Sequence, residues 1–158
     1  MHTVFLVEDE PLIRQNIRNA VEKNGEDFTC IGEAADGELA LTIIRDLKPD
    51  ILITDIKMPF MDGIELARQA RSRYPDIKIM LYSAYSQFEY AKAAIELGVV
   101  HYIVKPINCN EFRAAMDKLL QACREEQRQR ALLLEYEHIR HMTACDAPVS
   151  GDVVDAVI

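Results

Sequence analysis

Apolar positions along the chain fall into short runs separated by longer segments in which they recur every three or four residues. The short runs predict strands at VFLV (4–7), FTCIGEA (28–34), ILIT (51–54), IKIMLY (77–82) and HYIV (101–104). Between them, Leu12, Ile13, Ile17, Ala20 and Val21 make one helical stripe, and Leu39, Ala40, Ile43, Ile44 and Leu47 a second. Gly63, Leu66, Ala67, Ala70 and Tyr74 form a third, followed by Phe88, Ala91 and Ile95, then by Phe112, Met116, Leu119 and Cys123. Pro11 suits a first helical turn, Asp36 and Asp62 suit helix starts, and Gly25 and Gly98 suit helix ends. Runs that alternate in this way predict an α/β fold, a parallel sheet covered by helices on both faces.

In such a sheet, ligands bind beyond the carboxyl ends of the strands. The first strand ends in Glu8 and Asp9, the third in Asp55, the fourth in Ser83 and the fifth in Lys105-Pro106. The strands themselves are almost wholly apolar, yet each of these four delivers a polar or charged group to one rim. Crowded carboxylates oppose one another's ionisation and need solvent or a cation. The set suits magnesium, a hard ion that takes one or two carboxylates and keeps several waters, and Asp9 and Asp55 are placed to supply them. Beside such an ion an aspartate can attack phosphorus, with Lys105 and Ser83 offsetting the charge that develops on the phosphoryl oxygens. Glu10 reads as facing solvent, with Pro11 starting the helix.

Composition narrows the function classes. With 26 acidic and 18 basic residues the net charge is −8, which disfavours attraction to nucleic acid or anionic membrane. Cys30, Cys109, Cys123 and Cys145 show no Cys-x-x-Cys spacing, so neither a zinc site nor a disulfide framework is expected. No apolar stretch approaches the roughly 20 residues of a membrane span, and the N-terminus does not read as a signal peptide, so a cytoplasmic protein is expected.

Taken singly, these residues have ordinary readings. Asp55 could end a turn, Ser83 could cap the helix expected near Ser86, Lys105 could be a solvated lysine, and Tyr102 could be core. Their combination in VEDEP, DIKMPFMDG, YSAYS and VKPI, however, resembles the receiver domains of bacterial two-component response regulators, over about residues 3–124. The resemblance implies a flavodoxin-like, doubly wound five-stranded sheet of order 2-1-3-4-5. It also implies that Asp55 takes a phosphoryl group from a sensor histidine kinase in a reaction dependent on Mg2+ (or Mn2+). Glu8, Asp9, Asp55 and the backbone carbonyl of Lys57 would hold the metal, Ser83 and Lys105 the phosphoryl oxygens, and Tyr102 would be the switch aromatic. In the family Lys105-Pro106 is commonly cis. Glu8 departs from the pattern, since many relatives carry aspartate there.

A finer resemblance links SAYSQFEYAKAAIELGVVHYIVKPI to receivers that precede AraC-type DNA-binding domains. Residues 125–158 are too short for that output and carry no basic recognition helix, so they read as a helical extension and tail with the output domain absent. REEQRQR is charged on every side, after which Leu132, Tyr136, Ile139 and Met142 restore a stripe that could pack on a second copy or fold back. The other candidate partner surface, around the fourth helix, fifth strand and fifth helix, carries Tyr85, Tyr90, Lys92, Tyr102 and Arg113. Among rival classes, a metal-dependent phosphatase with an aspartyl intermediate usually has a second aspartate two residues after the nucleophile, and here that residue is Lys57. A flavin binder is disfavoured by the acidic loop after the first strand.

Overall fold

The computed structural model describes residues 1–23, 25–84 and 87–146. The chain divides into two compact units, residues 1–123 and 124–158. In the first, five parallel strands stand in the order β2-β1-β3-β4-β5, as the resemblance implies. They are β1 (His2–Val7), β2 (Phe28–Ala34), β3 (Ile51–Asp55), β4 (Lys78–Ser83) and β5 (His101–Val104). The helices are α1 (Pro11–Glu22), α2 (Gly37–Leu47), α3 (Gly63–Arg73), α4 (Phe88–Leu97) and α5 (Cys109–Asp146), which begins in this unit.

Strand alternation sends side chains to two cores. Val4, Leu6, Ile51, Ile53, Met80 and Tyr82 face one side, where they meet Ile17 and Val21 of α1 and Phe112, Met116, Leu119 and Cys123 of α5. Phe5, Val7, Leu52, Ile79 and Leu81 face the other, against Ala40, Ile44, Leu66, Ala67 and Ala70. Each fully buried aliphatic or aromatic side chain contributes about 1.5–3 kcal/mol, which is why the central strands carry almost nothing polar until their last residues. Asp36 and Asp62 accept hydrogen bonds from the backbone N–H groups of Leu39 and Glu65, both at 2.8 Å, and start α2 and α3. Gly98 ends α4 in the left-handed conformation, φ 66°.

Three helix faces differ from the periodic reading. Leu12 is 73% exposed, leaving Ile17 and Val21 to anchor α1. In α2 the buried residues are Gly37, Ala40, Leu41 and Ile44, whereas Leu39 and Leu47 are exposed. Ser86 lies outside the described residues; helix α4, which starts at Phe88, is turned furthest from expectation. Ala94 is its buried residue, flanked by half-buried Tyr90 and Leu97, while Phe88 and Ile95 are 76% and 80% exposed. The physical reason is close packing: the small Ala94 fits beside α3, where the bulk of Ile95 would not.

In the second unit, α5 carries ion pairs Glu125–Arg128 and Glu126–Arg130 within one helix face each. Leu132, Leu133, Leu134, Ile139 and Met142 are all exposed. Among the described residues no helix is long and apolar enough to cross a membrane.

Candidate functional site

Parallel register fixes the rim. Val7 aligns with Thr54 and Asp55 with Tyr82, so the ends of β1, β3 and β4 come level. Glu8 continues β1, held by its N–H to the Ala34 carbonyl at 3.1 Å, and Ile56 continues β3 by donating to the Tyr82 carbonyl at 3.0 Å. Backbone pairing in this way carries Glu8 and Asp55 to the edge while keeping both buried.

The sequence DG at 62–63 sets how closely α3 approaches. Asp62 caps the helix, and Gly63 donates to the Ile56 carbonyl at 2.7 Å. A Cβ on Gly63 would stand 1.9 Å from the Asp55 carbonyl oxygen, so only glycine allows the helix start to close the turn after β3.

At the rim, carboxylate oxygens of Glu8, Asp9 and Asp55 all lie within 4.8 Å of one another, an arrangement that can hold a metal ion. Glu8 and Asp55 are buried and Asp9 is exposed, giving a set anchored inside and open to solvent. Lys105, at the end of β5, reaches across β4 and places Nζ 3.3 Å from Asp55 Oδ2 and 3.4 Å from Glu8 Oε1. Both distances exceed the about 2.7–2.9 Å of a tight charge-assisted bond, so the ammonium is shared rather than committed. The Lys105–Pro106 peptide bond is cis.

Electrostatics follow from the crowding. Burial, then hydrogen bonding to Asp9 and the Asp55 charge, push the Glu8 carboxyl up to about 7, against the opposing pull of the Glu10 N–H and Lys105. Burial alone would lower the Lys105 ammonium, but the charges of Asp55 and Glu8 raise it. The cluster therefore holds more negative charge than one lysine neutralises. Three carboxylates with two of them desolvated are a donor set of hard oxygens, and they fit a divalent cation.

Ser83 ends β4, fully buried, and its carbonyl accepts from the Lys105 N–H at 2.7 Å, which ties the two strand ends together. Tyr102 lies on β5 opposite Leu81, half-buried against the second core beside Tyr90, and its phenol is raised by burial and by Tyr90. Lys57 is exposed, two residues beyond Asp55, where a phosphatase of the kind considered would need an acid. Tyr85 lies outside the described residues.

Sequence reasoning missed Tyr82. Its hydroxyl donates to Glu8 Oε1 at 3.2 Å, and the Lys105 ammonium lies 5.0 Å from its ring centroid. Burial, then the charges of Glu8 and Asp55, push its phenol well above the ordinary range. The available signal was a hydroxyl within the otherwise apolar IKIMLY run, one residue before Ser83. Arg14 was missed too; it donates to the Glu8 carbonyl at 2.7 Å and pairs with Glu33.

Residues 4–117 match the response regulator receiver domain family. The transcriptional regulatory protein YesN of Bacillus subtilis is 31% identical over 148 residues, covering 91% of this chain and 40% of that protein. The chain spans about half the length of the curated relatives it matches. Among solved structures, the receiver domain of AraT, a response regulator from Geobacillus stearothermophilus, has a TM-score of 0.74 at 33% identity and covers 80% of this chain and 98% of that one. A two-component transcriptional regulator AraC from Clostridium phytofermentans has a TM-score of 0.70 at 32% identity, covering 82% and 99%. From its fold, its rim of acids and these likenesses, the chain belongs to the response regulator receiver domains of two-component systems.

Proposed function

We propose that Asp55 is the phosphoacceptor of a signalling switch and that residues 1–124 are its receiver. The observation that carries this reading is the convergence of Glu8, Asp9, Asp55 and Lys105 from three strand ends. Glu8, Asp9, Asp55 and the Lys57 carbonyl would hold Mg2+ or Mn2+, which when bound supplies positive charge to the phosphoryl oxygens. An Asp55 carboxylate oxygen attacks the phosphorus of a kinase phosphohistidine; the O–P bond forms as the P–N bond breaks and the imidazole keeps the electron pair. Lys105, loosely shared, moves from the carboxylates toward a phosphoryl oxygen, and Ser83 donates its hydroxyl to another. The chain acts on its own carboxylate and is not an enzyme for a separate substrate.

Charge on Asp55 then favours a conformation in which Ser83 is drawn in and Tyr102 turns inward. The face that responds includes exposed Phe88, Lys92 and Ile95 with Tyr102 behind them, apolar enough to pair with a partner or a second copy. A groove of about 990 Å³ opens beside Lys105, floored by Ile13, Ile17, Ile107 and Phe112, and suits the approach of the sensor kinase. Residues 125–158 form the extension through which the state passes to an output, by likeness transcriptional. The net charge of −8 speaks against direct nucleic-acid binding by this chain, and the exchange is a cytoplasmic one.

The test is incubation with a small phosphodonor and Mg2+. The wild-type chain is expected to gain one phosphoryl mass and Asp55→Asn to gain none; uptake by Asp55→Asn overturns the assignment.

A further inference from the structure

The helical period places Leu132, Tyr136 and Ile139 on one line of α5, with Leu133 and Met142 flanking it on either side. Leu132 is 59% exposed and Ile139 44%, so this apolar stripe lies open to solvent. Upstream on the same line stand Glu125 and Gln129, bonded to each other at 3.5 Å, so the apolar seam begins at Leu132. Spacings of four and then three residues fit alternate core positions of a two-stranded coiled coil.

Charge decides the orientation. With Leu132 and Ile139 at one core position and Tyr136 at the other, Glu135 falls on one edge of the seam and Arg140 on the opposite edge, five residues later. In a parallel pair these two edges meet across the interface at that offset, acid against base, twice by symmetry. An antiparallel pair sets like edges together and forms neither contact. Leu134 lies on the far side and takes no part.

We propose that two copies of this chain pair in parallel through the α5 face carrying Leu132, Tyr136 and Ile139, with Glu135 of one copy facing Arg140 of the other. This deepens the reading of residues 125–158 as the extension of a receiver and rests on it. A parallel pair brings both α5 C-termini together, the arrangement that suits a two-fold symmetric output.

The experiment is the solution mass of the full chain over a concentration series, with helix content and phosphoryl uptake recorded for each variant. The wild type is expected to approach two copies, and Ile139→Glu to remain one copy with its uptake intact. Glu135→Arg or Arg140→Glu alone should weaken pairing about tenfold, and the double reversal should restore it. One copy at every concentration, more than two copies, or single reversals without effect overturn the proposal. A single-copy chain that still phosphorylates on Asp55 sinks the pairing alone, whereas a paired chain without uptake sinks the receiver reading and leaves the pairing.

Discussion

The Lys105 ammonium lies 3.3 Å from the Asp55 carboxylate, spanning from β5 to β3 over the ring of Tyr82. It is also 3.4 Å from Glu8, and this single cation partly offsets two buried acids. Lys105→Met should therefore cost about 2 kcal/mol of unfolding free energy at pH 8 without divalent metal, because it leaves both carboxylates uncompensated. Phosphoryl uptake should fall at least about tenfold. Urea denaturation and uptake kinetics measure the two effects; unchanged stability would show that the bridge contributes nothing.

Tyr82→Phe removes one hydroxyl from the buried Glu8 carboxylate and alters nothing else in volume. The loss of a hydrogen bond to a charged group predicts about 1–2 kcal/mol lower stability at pH 8. Leu81→Ala, on the other core, should lower stability too but leave magnesium affinity unchanged, whereas Tyr82→Phe should weaken it.

Glu8 titrates near 7 in the folded chain against an ordinary 4.5. A carboxyl raised on folding binds its proton more tightly in the native state, so its contribution is fully present below about 4.5 and is lost as pH rises through about 7. In a chain treated with chelator the unfolding free energy should fall across that window by an amount on the order of 3 kcal/mol, and the thermal midpoint should fall with it. Glu8→Gln should flatten the profile, and Mg2+ at pH 8 should raise the wild-type midpoint. A flat profile for the metal-free wild type would contradict the assigned burial.

Gly63→Ala introduces a Cβ at 1.9 Å from the Asp55 carbonyl oxygen. Backbone must move, so the expected loss is about 3 kcal/mol with slower phosphorylation. Asp62→Ala next door removes only a cap and should cost about 1 kcal/mol. Equal effects from the two would argue against the close approach of α3 to Asp55.

The strands are legible in the sequence because each apolar run is short and four of the five end at a polar residue, and in a parallel sheet those ends share one rim. That single rule points to Glu8, Asp9, Asp55, Ser83 and Lys105 as a candidate site, and the structure brings Glu8, Asp9, Asp55 and Lys105 together. Helix α4 is not legible in the same way. FEYAKAAIEL has apolar residues round most of its circumference, and only packing against α3 decides that Ala94 turns inward and Ile95 outward. Tyr82 stays hidden for another reason: an aromatic strand residue reads as core, and its hydroxyl finds Glu8 only through a contact 74 residues distant in sequence. Likewise the glycine of DG signals a turn, but not that the Asp55 carbonyl lies against it.

The central claim is that Asp55 itself receives the phosphoryl group, although Glu8 and Asp9 offer carboxylates within 4.8 Å of it. Borohydride reduction of the phosphorylated chain converts an aspartyl phosphate to homoserine, which peptide mass spectrometry can assign to one position. Homoserine at position 55 alone is the predicted result; homoserine at position 9, or label that survives without any reducible acyl phosphate, would contradict it.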